Sequence, residues 1–422
     1  MNYPIHTQTL ANGMLVCVSD DRQVPITAVN IWYDVGSRDE PRGQTGWAHL
    51  FEHLMFQGSA QVASGEHLDA LQGVGGSANA TTWFDRTNYF ETVPAAALDL
   101  ALWLEADRLD SLADCLSEES VNTQRDVVKE ERRQRYDNVP YGDAVEYLIG
   151  LAFPPDHPYG HSTIGSMADL DLATRSSAAE FFARHYRPDN AVLSICGDVS
   201  AAEGFAKAEK YFASIPSAAY PSRPQAEALP GLAGIPRSTV YGRVPAAAVS
   251  FVWRLPVADT PEYDAAAMAM TILGQGLTSR FYRNLVQTEL SQGAQTGTLG
   301  LVGGNSLGFA QALCLPAISP EQLETAMAAE VEILLQQGPS EAEIERVKIQ
   351  QLRQFLSALA DLGTRADAIS QNALLFGDPA RINRRLAELD KITSADIRNA
   401  CSTYLAPDAR GVLVYLPEDD NA

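Results

Sequence analysis

A chain of 422 residues exceeds what one hydrophobic core usually supports, so two domains are expected. Hydrophobic residues at 46% and charged residues at 20% give a globular composition rather than a disordered one. A formal net charge of -22, with no basic cluster to offset it, would repel a phosphate backbone and excludes nucleic acid as a partner.

The first 36 residues read as strands: HTQTL, a turn at Asn12-Gly13, MLVCVSD, then ITAVNIWYDVG, with β-branched and aromatic residues between turn signals. Helical spacing of apolar residues comes next in TGWAHLFEHLMFQ (45–57), AAALDLALWLEADRL and EESVNTQRDVVKEERRQRY, and NAVLSICGD returns to strand. Residues 216–237, rich in proline and small residues and without a period of either kind, read as a linker.

The half after the linker repeats the half before it. HYRPDNAVLSIC resembles YLAPDARGVLVY, with Pro188 and Pro407 219 positions apart, and TNYFETVPAAA and LSEESVNTQRDVVKEERR find counterparts at nearly the same offset. The expected fold is α+β: two homologous duplicated α/β-sandwich domains, 1–215 and 238–422, each a mostly antiparallel sheet covered by helices.

The five cysteines are odd in number, far apart and without a CxxC pair, so reduced and mostly buried thiols are expected rather than disulfides or a cysteine zinc site. No stretch approaches the roughly 18 apolar residues of a membrane span, and the N-terminus lacks a basic-then-apolar signal pattern. A bacterial cytoplasmic location is expected; a signal peptide removed ahead of this numbering would make the protein periplasmic or secreted.

The segment HLFEH, residues 49–53, carries the chemistry. On a helix His49 and His53, four apart, stack on one face and can aim both imidazoles at one ion, for which zinc is suited. Glu52 can reach a water acidified by the metal without being a ligand, and would act as general base. The order is H-x-x-E-H, the reverse of the commoner zincin motif.

A catalytic zinc needs a third protein ligand, and RDVVKEERRQR offers Glu130 and Glu131. Glu131 shares the stripe of Val121, Val127 and Val128, whereas Glu130 is turned about 100° away. Glu131 is the chosen ligand and Glu130 the exposed alternative. His6, His67, His157, His161 and His185 are expected to be structural or exposed; Pro158 and Gly160 break the spacing of His157 and His161 as a second site.

These features, with GWAHLFEHLMFQGS, GGSANATTWFDRTNYFETVP and FPPDHPYGHSTIGS, resemble the pitrilysin-type zinc metallopeptidases, the inverzincin family that includes the mitochondrial processing peptidase and insulin-degrading enzyme. The resemblance runs nearly end to end and is nearest to the short branch whose subunits pair into a clamshell. It places His49, His53 and Glu131 on the family's zinc ligands, one Zn2+ per chain, and Glu52 on its base. It also implies that an extended peptide substrate adds to a sheet edge at SANATTWFD, with Asn79 and Ala80 as the contact positions.

The second half departs from that pattern. Its copy of the metal helix reads AAAMAMTILGQG, and Gln354 falls at the counterpart of Glu131, so the second domain is not expected to hold zinc. The family's substrate-gripping arginine and tyrosine fall here on Val286 and Gly293, which donate no side-chain hydrogen bond. The resemblance thus implies a zinc endopeptidase acting on short unstructured peptides or targeting segments, as the metal-bearing member of a heterodimer, with a homodimer as fallback. The alternative is a non-catalytic scaffold or peptide-binding subunit of the same fold.

Overall fold

The computed structural model describes residues 2–218, 223 and 226–418. In chain order the elements are β1 (His6–Thr9), β2 (Leu15–Asp20), β3 (Ile26–Tyr33), α1 (Trp47–Leu54), α2 (Glu66–Gly73), β4 (Ser77–Thr82), β5 (Thr87–Pro94), α3 (Leu98–Cys115), α4 (Glu118–Arg132), α5 (Ala144–Ala152), α6 (Met167–Leu170), α7 (Arg175–His185), β6 (Ala191–Gly197) and α8 (Ala201–Phe212). The second half continues with β7 (Arg237–Gly242), β8 (Ala248–Leu255), α9 (Pro261–Gly274), β9 (Ser291–Leu299), β10 (Ser306–Cys314), α10 (Pro320–Gln337), α11 (Glu341–Ala360), α12 (Leu362–Phe376), α13 (Arg385–Asp390), α14 (Ser394–Tyr404) and β11 (Gly411–Pro417).

The strands form two sheets, ordered β1-β2-β6-β3-β5-β4 and β7-β11-β8-β10-β9. Apart from β1 the two orders correspond strand for strand. Each sheet is antiparallel except for one parallel pair, β2 with β6 and β7 with β11, in matching places. The α+β duplication expected from the repeats is therefore present in the topology.

The compact units cut across the boundaries 1–215, 216–237 and 238–422. One comprises Met1–Glu131, Ser162–Pro224 and Gln354–Arg385; the other comprises Arg132–His161, Gln225–Arg353 and Leu386–Ala422. Each unit takes in a helix from the other half of the sequence. In the first, Leu362, Ala366, Ile369 and Ala373 of α12 bury against Cys17, Ala28, Val192 and Cys196 on one face of the sheet. In the second, Leu151 of α5 packs close to Gly411 at the start of β11. Amphipathic spacing says which side of a helix is buried but not which sheet buries it. Within the expected linker, 219–222, 224 and 225 lie outside the described residues.

The opposite face of the first sheet carries Val29, Ile31, Tyr33 and Tyr89 into a core shared with Phe51, Phe181 and Tyr186. The second unit buries Phe251 and Trp253 with Ala265, Met268, Ala269 and Leu273 of α9. All five thiols are free, and burial pushes those of Cys17, Cys196 and Cys401 up to about 12; Cys115 alone is exposed. Among the described residues no helix is long and apolar enough to cross a membrane.

Candidate metal centre

Helix α1 is amphipathic, and its two sides do different work. Trp47, Ala48, Leu50, Phe51 and Leu54 are buried, with Phe51 stacked on Phe181 at 4.9 Å between ring centroids, whereas His49, Glu52 and His53 are only partly buried. The helix starts at Gly46 in the left-handed region, φ 90°, where a Cβ would stand 2.6 Å from the Ile164 carbonyl oxygen. Glycine alone fits both constraints. The amides of Gly46 and Ala48 donate to Oε2 and Oε1 of Glu40 at 2.8 and 2.7 Å, so a buried carboxylate anchors the first turn. Burial pushes the Glu40 carboxyl upward, and these two N–H donors pull it back.

The structure brings His49, His53 and Glu131 together, one ligand atom from each lying within 4.8 Å of the others. Oε2 of Glu131 is 3.3 Å from Nε2 of His53 and 3.7 Å from Nε2 of His49. The two imidazoles stand nearly perpendicular, at 81°. Ligands held about 2.0–2.1 Å from a tetrahedral zinc are roughly 3.3 Å from one another, so these separations fit a zinc with little adjustment. Two imidazoles and a carboxylate are also a donor set used by catalytic zinc.

Glu131 is partly buried and Glu130 exposed, but the stripe that orients Glu131 is narrower than the sequence suggested. Val121 and Val128 are fully buried, whereas Val127 is 44% exposed and does not belong to it.

Glu52 sits beside this cluster. Its Oε2 accepts a 2.7 Å hydrogen bond from Oγ1 of Thr82 on β4. Burial raises its pKa, with Thr82 and His53 opposing and Glu131 adding to the rise. Asn79 and Ala80 lie on the same strand, the outermost of its sheet; Asn79 is exposed, Ala80 buried, and Oδ1 of Asn79 accepts from the Ala80 amide at 2.9 Å.

Sequence reasoning missed Thr82, although it stands two residues from Ala80 and therefore on the same face of the strand. It also missed a buried network of His67, Glu91, Glu105 and Arg108. His67 Nε2 is 3.9 Å from both glutamates, and Arg108 pairs with Glu105 while its guanidinium lies 4.4 Å from the Tyr89 ring centroid. The group has the residue types of a metal site. Arg108, however, already supplies its cation, and burial together with Arg108 drives His67 down to about 3. Glu105 and Arg108, three apart on an apolar helix, were the available signal.

His157 is a structural histidine as expected, stacked on Phe153 at 4.6 Å and accepting at Nδ1 from the Tyr159 amide. Val286 ends a π-turn at Tyr282–Val286, and Gly293 lies in β9 opposite Leu313. A Cβ added at Gly293 would meet nothing within 4 Å.

A metal-type triad with an acid at its side, on a duplicated sheet-and-helix fold, defines a metallopeptidase-like class, and the comparisons name it. Residues 15–163 match the insulinase family (peptidase family M16), and residues 173–351 match the peptidase M16 inactive domain. A zinc protease of Helicobacter pylori, PqqE, is 30% identical over 383 residues, covering 86% of this chain and 83% of that protein. An uncharacterized zinc protease of Mycobacterium bovis is 28% identical over 97% of this chain and 92% of its own length. The crystal structure of a protease from Helicobacter pylori superposes with a TM-score of 0.92 at 27% identity, covering 99% of this chain and 100% of that one. The chain belongs to the insulinase family, peptidase family M16.

Proposed function

We propose that this chain is a zinc-dependent endopeptidase for short unstructured peptides or targeting segments, with His49, His53 and Glu131 holding one zinc and Glu52 as general base. The convergence of those three side chains, with Glu52 beside them, carries the reading. When bound, zinc supplies Lewis-acid chemistry, polarising the scissile carbonyl and acidifying a water.

Glu52 takes the proton from the attacking water and passes it to the leaving amine. Burial makes its carboxylate a stronger base than an exposed glutamate, and the Thr82 hydroxyl fixes one oxygen so that the other meets the water. The outer edge of β4, at Asn79 and Ala80, receives the substrate as an added strand.

The absence of side-chain donors at Val286 and Gly293 supports a second proposal: a homologous subunit supplies the arginine and tyrosine that steady the developing oxyanion. The test is hydrolysis of a quenched fluorescent unstructured peptide by the zinc-loaded chain, alone and with homologous chains from the same source. Turnover should appear with the partner and fall about 10²–10⁴-fold in Glu52→Gln. Full activity of the chain alone would remove the partner. Turnover unchanged in Glu52→Gln would remove the mechanism.

A further inference from the structure

The edge proposed to receive substrate has two faces, and the side chains that would hold the metal lie beside only one. The Trp83 amide donates to the Arg86 carbonyl at 2.8 Å across the β4–β5 turn, and antiparallel pairs alternate from there. Asn79 and Thr81 therefore turn their main-chain groups toward β5, and Ala80 and Thr82 turn theirs outward. A peptide bound along this edge, as the function proposed above requires, points alternate side chains to opposite sides of the sheet.

One side is that of Thr82 and Glu52. The other is a cavity of ≈ 580 Å³ between the β4–β5 hairpin and the first turns of α12, lined by Asn79, Thr81, Arg86, Asp361, Thr364 and Asp367 among others.

Among the described residues Arg86, its guanidinium 4.9 Å from the Trp32 ring centroid, commits only Nη1 to hydrogen bonds: to the Thr81 carbonyl at 2.8 Å, Oγ1 of Thr81 at 2.5 Å and Oδ1 of Asn88 at 3.0 Å. Asp367 receives Asn30, Trp32 and Asn88 at 3.2, 2.8 and 3.0 Å, all on Oδ1. Nη2 of Arg86 and Oδ2 of Asp367 thus keep hydrogen-bonding capacity unused by the described residues, and the two side chains form no ion pair with each other. Asp361 is spent on the start of α12, accepting from the Thr364 amide and hydroxyl at 2.8 and 3.0 Å.

We infer that this cavity is a side-chain subsite of the peptide groove and selects an uncharged hydrogen-bonding side chain, glutamine or asparagine, over a charged one of either sign. A carboxamide carries an acceptor for Arg86 and donors for Asp367. A lysine or arginine can pair with Asp367 but sets its cation beside Arg86 and leaves Nη2 without an acceptor, and a glutamate or aspartate can pair with Arg86 but sets its anion beside Asp367. Each gives up water to satisfy one of the two charges and meet repulsion from the other, whereas the carboxamide satisfies both. The unused donor on Arg86 and the unused acceptor on Asp367, charges that attract each other without a direct ion pair, make the site discriminate by sign, not only by size.

The experiment measures binding of fluorescent extended peptides to the zinc-loaded Glu52→Gln chain, with glutamine, alanine, lysine or glutamate scanned through each position. At one or more positions on alternate residues, glutamine should bind about tenfold tighter than lysine or glutamate, and adjacent positions should not discriminate. Asp367→Asn, which keeps an acceptor at Oδ1, should relieve the penalty on glutamate; Arg86→Gln should relieve that on lysine. Thr364→Lys, an exposed change independent of the buried bonds, should turn the preference toward glutamate.

Uniform binding at every position, no binding of the panel, or the same ranking in Asp367→Asn and Thr364→Lys would overturn the subsite. Sign-selective binding without cleavage by the unmutated chain, either alone or with a homologous subunit, would keep the subsite and overturn the peptidase. Cleavage without sign selectivity would do the reverse.

Discussion

Helices α1 and α9 are the instructive pair. Both lie in units built on the same sheet order, and α9 contains the counterpart of the segment that includes HLFEH. In α1 the side turned from the core carries His49, Glu52 and His53. In α9, Ala265, Ala266, Met268, Ala269, Met270, Ile272 and Leu273 are all buried, so the helix is apolar nearly all round. One copy gives its partly buried face to titratable groups, whereas in the other that face carries Tyr263, Ala267 and Thr271, with neither histidine nor carboxylate among them. A metal site built this way needs ligand side chains on the face turned from the core, and α9 carries none at Tyr263, Ala267 and Thr271.

The largest expected effect tests whether the second unit lacks only the gripping pair. Replacing Val286→Arg and Gly293→Tyr together should raise peptide turnover by the zinc-loaded chain alone by about 10²-fold. The open space at Gly293 admits the larger side chain. Equal turnover by the parent and the double variant would sever the link between those positions and activity.

Stability separates the helices next. Met268→Ala in α9 should cost about 2–5 kcal/mol by leaving a cavity in a closed core. His49→Ala in the metal-free chain should cost under about 1 kcal/mol, because His49 is not part of the packed side. Urea midpoints of the two variants check this, and equal losses would erase the contrast.

A smaller effect concerns charge in the second unit. Burial opposes ionisation of Glu343, but bonds from Arg280 at 2.9 Å and from the Ser340 amide hold its carboxyl at about 2. Its folded pKa lies below the unfolded value of about 4.3, so the stability it contributes is present above that value and is lost as pH falls toward 2. Glu343→Gln should lower the urea midpoint at pH 7, and the gap from the parent should narrow at pH 3. A constant gap would contradict the ion pair's part in it.

Much of this was legible in the chain. The spacing of His49, Glu52 and His53 states the geometry outright, because a helix converts four residues into one shared face. Glu131 was found by its stripe, though Val127, one of the three valines offered for it, is exposed; Val121 and Val128, seven apart, carry the orientation.

The interleaving of the units was not legible. The buried side of α12 is equally compatible with either sheet until Asp367 finds Asn30, Trp32 and Asn88, and Ser370 finds Ser194 at 2.7 Å. Such contacts join residues far apart in sequence, and local spacing carries no record of them. His67 was misjudged only in its company, since its partners come from β5 and α3.

The central claim rests on which carboxylate completes the cluster, and zinc content per chain measures that directly. Metal analysis of the purified protein should give close to one zinc per chain, unchanged in Glu130→Gln and near zero in His49→Ala and Glu131→Gln. Zinc retained in both of the latter, or lost in Glu130→Gln, would contradict the assignment of His49, His53 and Glu131 as the metal centre.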